Sequence, residues 1–459
     1  MPSQMRRFRD RFSGMPAQEL QRAFGTWIKL PKGFGGGKRI RLFPSSTTFW
    51  MFLSQVLDKD GSCRESLRRF QAWLFVDKGE VSSASTAGYC KARLKISSKE
   101  VGMINHNITM KMSNACPWLW FGRTVKVVDG TGLSMPDTPS NRTTWPLSKK
   151  SKPGCGFPVM RVVGIFSLAT GALLNLAHGT LFVHERTLYR SLWGVLARGD
   201  ILLGDRGFCG FADFFFLSAK GVDCVMRKHI RRINAGVIRK LGKKDRIVEW
   251  KKTGIRPKWL DHQEWKGLPE SLAVREVEVA VHNPGFRSKT IFIVTTLLDP
   301  KEFPAEAIAD LYLKRWNVEL YLKDIKITMG MDILKCKTPD MIQTELWMKV
   351  IAYNLVRAIM MEAAIKSGVP LEGISFKGTV SVIRNWASYL ENPTISGKRR
   401  SKVLATMLSY IANDKVPQRP GRSEPRARKR RPKNFELLSK PRNLFREISH
   451  RNRYRKPLS

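Results

Sequence analysis

Four residues of one segment combine types and spacing suited to handling a phosphodiester: Tyr312, Arg315, Glu319 and Lys326. On a helix turning about 100° per residue they fall at about 0°, 300°, 340° and 320°, a stripe about 60° wide. Lys323 and Trp316 flank that stripe, while Leu311, Val318, Leu322 and Ile325 fall on another face and can bury against a sheet. A surface Arg315–Glu319 pair, worth about 0.3–0.5 kcal/mol, accounts for the Arg and the Glu but not for the aligned Tyr, Lys and Trp. Two further acids close apolar runs: TVKVVD (124–129) ends on Asp129, and ILLGD (201–205) ends on Asp205. Ligands of open α/β sheets bind beyond the carboxyl ends of strands, so parallel neighbours would present both carboxylates at one edge. An Asp in such a place is, taken alone, more often a turn former. Three carboxylates make a hard-oxygen set for Mg²⁺ or Mn²⁺, and the scattered His and Cys residues argue against zinc. Two such ions roughly 3.5–4 Å apart can activate an attacking oxygen and stabilise the leaving one.

The elements that must position these groups follow from hydrophobic period and turn residues. Residues 159–168 and 172–182 read as a hairpin joined at Thr170-Gly171, and residues 184–197 have helical spacing. His184-Glu185 opens that stretch and reads as a helix start. Phe211 to Ala219 reads as a helix and Asp223 to Arg227 as a strand. Residues 230–298 alternate in AVREVEVAVH (273–282) and KTIFIVTTLL (289–298), and read as a separate β unit. Pro304 then opens one long helix to about Thr328, and a second helix runs from about Asp340 to Lys366. Residues 1–115 read as mainly helical, with a short basic segment (85–96) compatible with a DNA-binding helical module. The chain from about 397 is basic and reads as an extended tail around GRSEPRARKRRPK (421–433).

The charge points to a partner. Lys+Arg 81 against Asp+Glu 38 gives a formal +43, which calls for a polyanion, nucleic acid before an anionic membrane. No apolar run is long enough for a transmembrane helix, and the N-terminus lacks a signal-peptide core. Seven scattered cysteines with no Cys-x-x-Cys suit a reducing cytoplasm. At roughly 100–200 residues per domain, the 459 residues imply two to four domains.

The spacing Tyr312-x2-Arg315-x3-Glu319-x6-Lys326 resembles the Tyr-Arg-Glu-Lys signature of bacterial insertion-sequence transposases of the insertion-sequence-four family, which are Asp-Asp-Glu (DDE) enzymes. The stretches VVDGTGLSMPDTPSN (127–141), KPGCGFPVMRVVGIFSLATG (152–171), GDILLGDRGFCGF (199–211) and GMDILKCKTPDM (330–341) are similar to that family too.

The resemblance implies an α/β fold: a ribonuclease H-like core (120–229 and 299–335) interrupted by a β-rich insertion (230–298). A helical N-terminal DNA-binding domain (1–115), C-terminal helices (336–396) and a basic tail (397–459) would complete it. It implies Asp129, Asp205 and Glu319 as catalytic metal ligands, with two Mg²⁺ or Mn²⁺ ions. Tyr312, Arg315 and Lys326 would grip phosphates near the cleaved end, beside Lys323, with Trp316 stacking on a base. The implied activity is cut-and-paste DNA transposition by cleavage and strand transfer. Its partners would be terminal inverted repeats, target DNA and a second copy of the chain. The implied setting is a bacterial cytoplasm, at the nucleoid and away from membranes. Some similar enzymes pass through a hairpin at the excised end; here that step is left open, since TIFIVTT (290–296), where a wedging Trp would be sought, offers Phe292 but no Trp. The competing readings are a nuclease or resolvase on the same core and a decayed transposase that only binds DNA.

Overall fold

The computed structural model describes residues 24, 26–35, 42–58, 61–147, 156–229, 232, 236–280, 290–390, 396–417 and 444. The lysines at 149, 150 and 152 and the basic run 421–433 lie outside these residues.

Among the described residues four helices come first: α1 (Ser45–Leu57), α2 (Cys63–Lys78), α3 (Ala87–Arg93) and α4 (Ser98–Ala115). Local chemistry sets their ends. The Ser62 hydroxyl accepts from the Glu65 N–H at the start of α2, and Gly79 ends that helix at φ 70°. A reciprocal cap between Ser97 and Glu100 opens α4.

The central body continues in chain order as β1 (Val125–Ser134), α5 (Pro139–Thr144), β2 (Val159–Ser167), β3 (Leu173–Gly179), α6 (Glu185–Arg190), β4 (Ile201–Gly204), α7 (Phe211–Ala219) and β5 (Asp223–Arg227). Then come β6 (Gly236–Gly242), β7 (Asp245–Lys251), α8 (His262–Gly267), β8 (Ser271–Ala280) and β9 (Thr290–Thr295). The nine strands of the described residues form one sheet in the order β3-β2-β1-β4-β5-β9-β8-β7-β6. The neighbours β1, β4 and β5 run parallel, and every residue of β4 is buried, as a strand covered on both faces requires. The β2–β3 hairpin turns where expected, with Gly171 at φ 69°.

The strands described within 230–298 are not a separate unit but part of this sheet. Their strand β9 pairs with β5 at Val225–Thr295, Met226–Val294 and Arg227–Ile293, so the insertion continues the sheet through what would otherwise be an open edge. Within it the fully buried Arg275 binds both oxygens of Asp245, at 2.8 and 2.6 Å.

The expected single helix from Pro304 is one helical run wound three ways. It passes from α9 (Ala305–Leu313) through a 3-10 turn (Lys314–Trp316) into α10 (Asn317–Lys323) and a π-helical turn (Asp324–Thr328). Next comes α11 (Pro339–Ser367), 29 residues long and buried along nearly all its length. It fixes the hairpin from behind: Tyr353 donates to Gly171 O at 2.6 Å, and Asn354 Nδ2 to Leu173 O at 2.9 Å. The helices α12 (Phe376–Leu390) and α13 (Gly397–Asn413) follow. The start of the supposed extended tail is therefore helical: Ser396 caps α13, and Met407, Leu408 and Ile411 are buried. Among the described residues no helix is long and apolar enough to cross a membrane.

Candidate active site

The parallel register of β1 and β4 determines where the two aspartates stand. Val125 lies opposite Ile201, Lys126 opposite Leu202 and Val127 opposite Leu203. Two residues beyond the last pair of this ladder come Asp129 in β1 and Asp205 just after β4, so both acids belong to the same end of the parallel pair. Asp205 follows the last residue of β4, as expected. Asp129 does not end its strand: β1 runs on to Ser134, paired only with β2. What ends at Val127 is the ladder to β4, and that divergence opens the sheet beside Asp129.

Glu319 approaches from the third element, α10, which packs on β1. Burial pushes the Asp129 carboxyl up to about 6, and the charges of Asp205 and Glu319 add to that. The Gly130 N–H, donating at 2.8 Å, and the Arg315 guanidinium work the other way. The three carboxylates thus share one electrostatic neighbourhood. They are not drawn into a cage: among the described residues no three His, Cys, Asp or Glu side chains form a metal-binding group. Glu319, its side chain 57% exposed, pairs with Arg315 at 3.4 Å. Three carboxylates facing one guanidinium leave an excess of two negative charges on hard oxygen donors, which fits a divalent cation.

The row on the long helix departs from a uniform helical wheel, because the 3-10 and π turns change the angular step. Tyr312 is 1% exposed, packed beneath the site rather than presented on it. Burial raises its hydroxyl to about 12, opposed by Arg315 and reinforced by Asp205. Arg315 is buried too, 4.9 Å from the Trp316 ring centre, and its Nε has no hydrogen-bond partner among the described groups. Trp316 is half-buried and meets the Tyr312 ring edge-on, while Lys323 is exposed. Lys326 is held by β1 just past Asp129: its Nζ donates to Thr131 Oγ1 at 3.1 Å and Gly132 O at 3.2 Å, and it pairs with Asp332 at 3.0 Å.

Sequence reasoning missed Arg186. It donates to Gly207 O at 2.6 Å and Cys209 O at 3.2 Å, clamping the loop whose Gly207 N–H donates to Asp205 at 2.6 Å. Only its nearness to the helix start marks it in the sequence. His184 is that helix start, as expected, accepting from the Arg186 N–H through Nδ1 at 3.2 Å. On the far side of β1, a side chain at Gly130 would meet the Glu185 carboxylate at 3.1–3.4 Å.

Three comparisons bear on this arrangement. A family described as Transposase DDE domain matches residues 120–355. Transposase InsG for insertion sequence element IS4 of Escherichia coli (strain K12) is 26% identical over 411 residues, spanning 88% of this chain and 89% of that protein. A cryo-EM structure of the piggyBac transposase synaptic complex with hairpin DNA aligns over 91% of this chain and 86% of its own, at 10% identity and a TM-score of 0.37. An overlap that loose carries no weight for fold or chemistry.

Proposed function

The chain belongs to the Transposase DDE domain family, and on that premise we propose how its residues carry out the reaction. It is a DNA transposase of the insertion-sequence-four kind, an enzyme that cleaves DNA and transfers strands. We read β1–β5, ordered 3-2-1-4-5, as a ribonuclease H-like core, with 230–298 as its insertion. The helices before residue 115 would serve DNA binding, and the chain after 336 would supply supporting helices and a basic tail.

Asp129, Asp205 and Glu319 would hold the divalent cations, two Mg²⁺ or Mn²⁺ ions in our reading. Bound there, such ions supply Lewis-acid activation of the attacking oxygen and stabilise the departing one. The rest falls to the chain. Arg315 is poised between Asp129 and Glu319, where a guanidinium can exchange a carboxylate for a phosphate oxygen. Trp316 and Lys323, the more open members of the row, offer a ring and a cation to the DNA end. Tyr312 would act from below by packing Arg315 and Trp316 in place, and Lys326 by tying the Glu319 helix to β1. The substrates would be terminal inverted repeats and target DNA, in a dimer or higher assembly, in the bacterial cytoplasm at the nucleoid.

One observation carries this reading: Asp129 feels Asp205, Glu319 and Arg315 at once, although three separate elements supply them. Glu319→Gln removes one negative charge at a half-exposed position. It should abolish metal-dependent end cleavage while leaving end binding in chelator within about twofold, since many other cations bind the backbone. Cleavage at a near-normal rate by that variant would overturn the assignment.

A further inference from the structure

Three cysteines that lie far apart in the sequence meet in space. Cys63, Cys90 and Cys336 line one cleft of about 730 Å³, where α1, α2 and α3 face the chain between the π turn and α11. Cys90 is exposed, and Cys63 and Cys336 are half-buried. Arg93, the last residue of α3, joins two of them. It is 6% exposed and lies 3.9 Å over the Phe52 ring. Its Nη1 donates to Cys63 Sγ at 2.9 Å and its Nη2 to Cys336 Sγ at 3.1 Å, while its Nε has no hydrogen-bond partner among the described groups. A buried guanidinium ordinarily meets oxygen acceptors; here sulfurs from two sides of the cleft take that place.

Donors converge on Cys63. Gln55 Nε2 points to its sulfur at 3.5 Å, in the orientation that the Tyr89 hydroxyl sets by donating to Gln55 Oε1 at 2.9 Å. The Cys90 thiol adds a side-chain hydrogen bond with Cys63. Burial raises the Cys336 thiol, and burial together with the Cys63 sulfur raises the Cys90 thiol, so these two hold their protons. Cys63, facing a guanidinium at the first residue of α2, is the sulfur arranged to attack an oxidant, with a second thiol already against it.

We propose that Cys63 and Cys90 are an oxidisable dithiol, a modification site for hydrogen peroxide, and that bridging them loosens the union of the N-terminal helices with the core. The Cys63 thiolate attacks one peroxide oxygen. The O–O bond breaks, Cys63 becomes a sulfenic acid, and the departing hydroxide takes up the proton Cys63 gave up. The Cys90 sulfur then attacks the Cys63 sulfur: the S–S bond forms, the S–O bond breaks, and the hydroxide leaves as water with the Cys90 proton. Two thiols lose two electrons and two protons, and the peroxide becomes two waters. Bridged, the Cys63 sulfur turns away from Arg93, which loses one of the contacts that join α2 to Cys336. Cys336 ends a segment secured from both sides. Lys349 Nζ donates to Met329 O and Gly330 O at 3.2 Å, and Glu345 accepts from the Lys335 and Cys336 N–H groups at 2.9–3.0 Å. Asp332 of the same segment pairs with Lys326, so slack there reaches the helix that carries Glu319.

The test treats the full reduced chain with hydrogen peroxide, then maps disulfides by mass spectrometry without reductant. A Cys63–Cys90 crosslink is expected, consuming two of the seven thiols and reversed by dithiothreitol. Cys90→Ser changes an exposed side chain, so the fold is kept; oxidation should stop at a Cys63 sulfenic acid that dimedone captures. Cys336→Ser should still form the crosslink. In hydrogen–deuterium exchange, peptides covering 329–338 should exchange about five- to tenfold faster in the oxidised chain, the size of one lost hydrogen bond, and peroxide should leave them unchanged in Cys90→Ser. A Cys63–Cys336 bridge, thiols lost at other cysteines with Cys63 and Cys90 intact, or unchanged exchange across 329–338 after crosslinking overturns the proposal. Both measurements need neither DNA nor divalent metal, so they succeed or fail independently of the transposase reading.

Discussion

Asp324 lies in the π turn between Glu319 and Lys326, and its carboxyl is raised from the ordinary 3.8 to about 6. Burial is the main cause. Arg357, Lys323 and a hydrogen bond from Thr328 pull the other way without cancelling it. The sign follows from linkage. A carboxyl that holds its proton more tightly when folded favours the fold at low pH, and that advantage is lost as pH rises from about 4 through about 6. The loss is about 1.4 kcal/mol per pH unit across that window, on the order of 3 kcal/mol in all. An asparagine at this position would imitate the protonated acid at every pH. Asp324→Asn should therefore gain up to about 3 kcal/mol at pH 7.5 and almost nothing at pH 4. Urea unfolding of both chains at the two pH values, followed by tryptophan fluorescence, reads the difference. An equal gain at both pH values, or a loss at pH 7.5, would refute burial as the dominant cause.

Two further variants probe how the site is held. Lys326→Met removes a mostly buried ammonium that donates to Thr131 and Gly132. It should cost about 2 kcal/mol of stability in denaturant titration as well as weakening end binding; unchanged stability would leave Lys326 a DNA contact only. Gly171→Ala puts a side chain at φ 69° and drives it into the Arg357 guanidinium, which donates to Thr170 O at 2.8 Å. A loss of about 2–3 kcal/mol in the same titration is expected, with end binding by the surviving folded fraction unchanged.

Much of this was legible along the chain because its physics is local. Apolar runs closing on an acid marked β4 and its Asp205, and alternation marked β8 and β9. The Thr170-Gly171 turn could be read because only a residue tolerant of positive φ reverses the chain so tightly there. The 3.6-residue period separated the buried Leu311, Val318 and Ile325 from the polar face of the same run. It did not show the burial of Tyr312, since a wheel assumes uniform winding and the run leaves α-helical winding twice, at 314–316 and at 324–328.

What the sequence determined by itself was the inventory: three acids, a basic excess and the types of element that carry them. Tertiary structure decided which of them meet. That Asp129 and Asp205 come to the same end of the sheet follows from the parallel pairing of β1 with β4, strands more than seventy residues apart, a register that no local pattern encodes. The insertion's union with β5 depends on an edge that exists only once the core strands are assembled. Periodicity records how one element meets its own core; the meeting of separate elements is set by packing and backbone pairing between residues far apart in the chain.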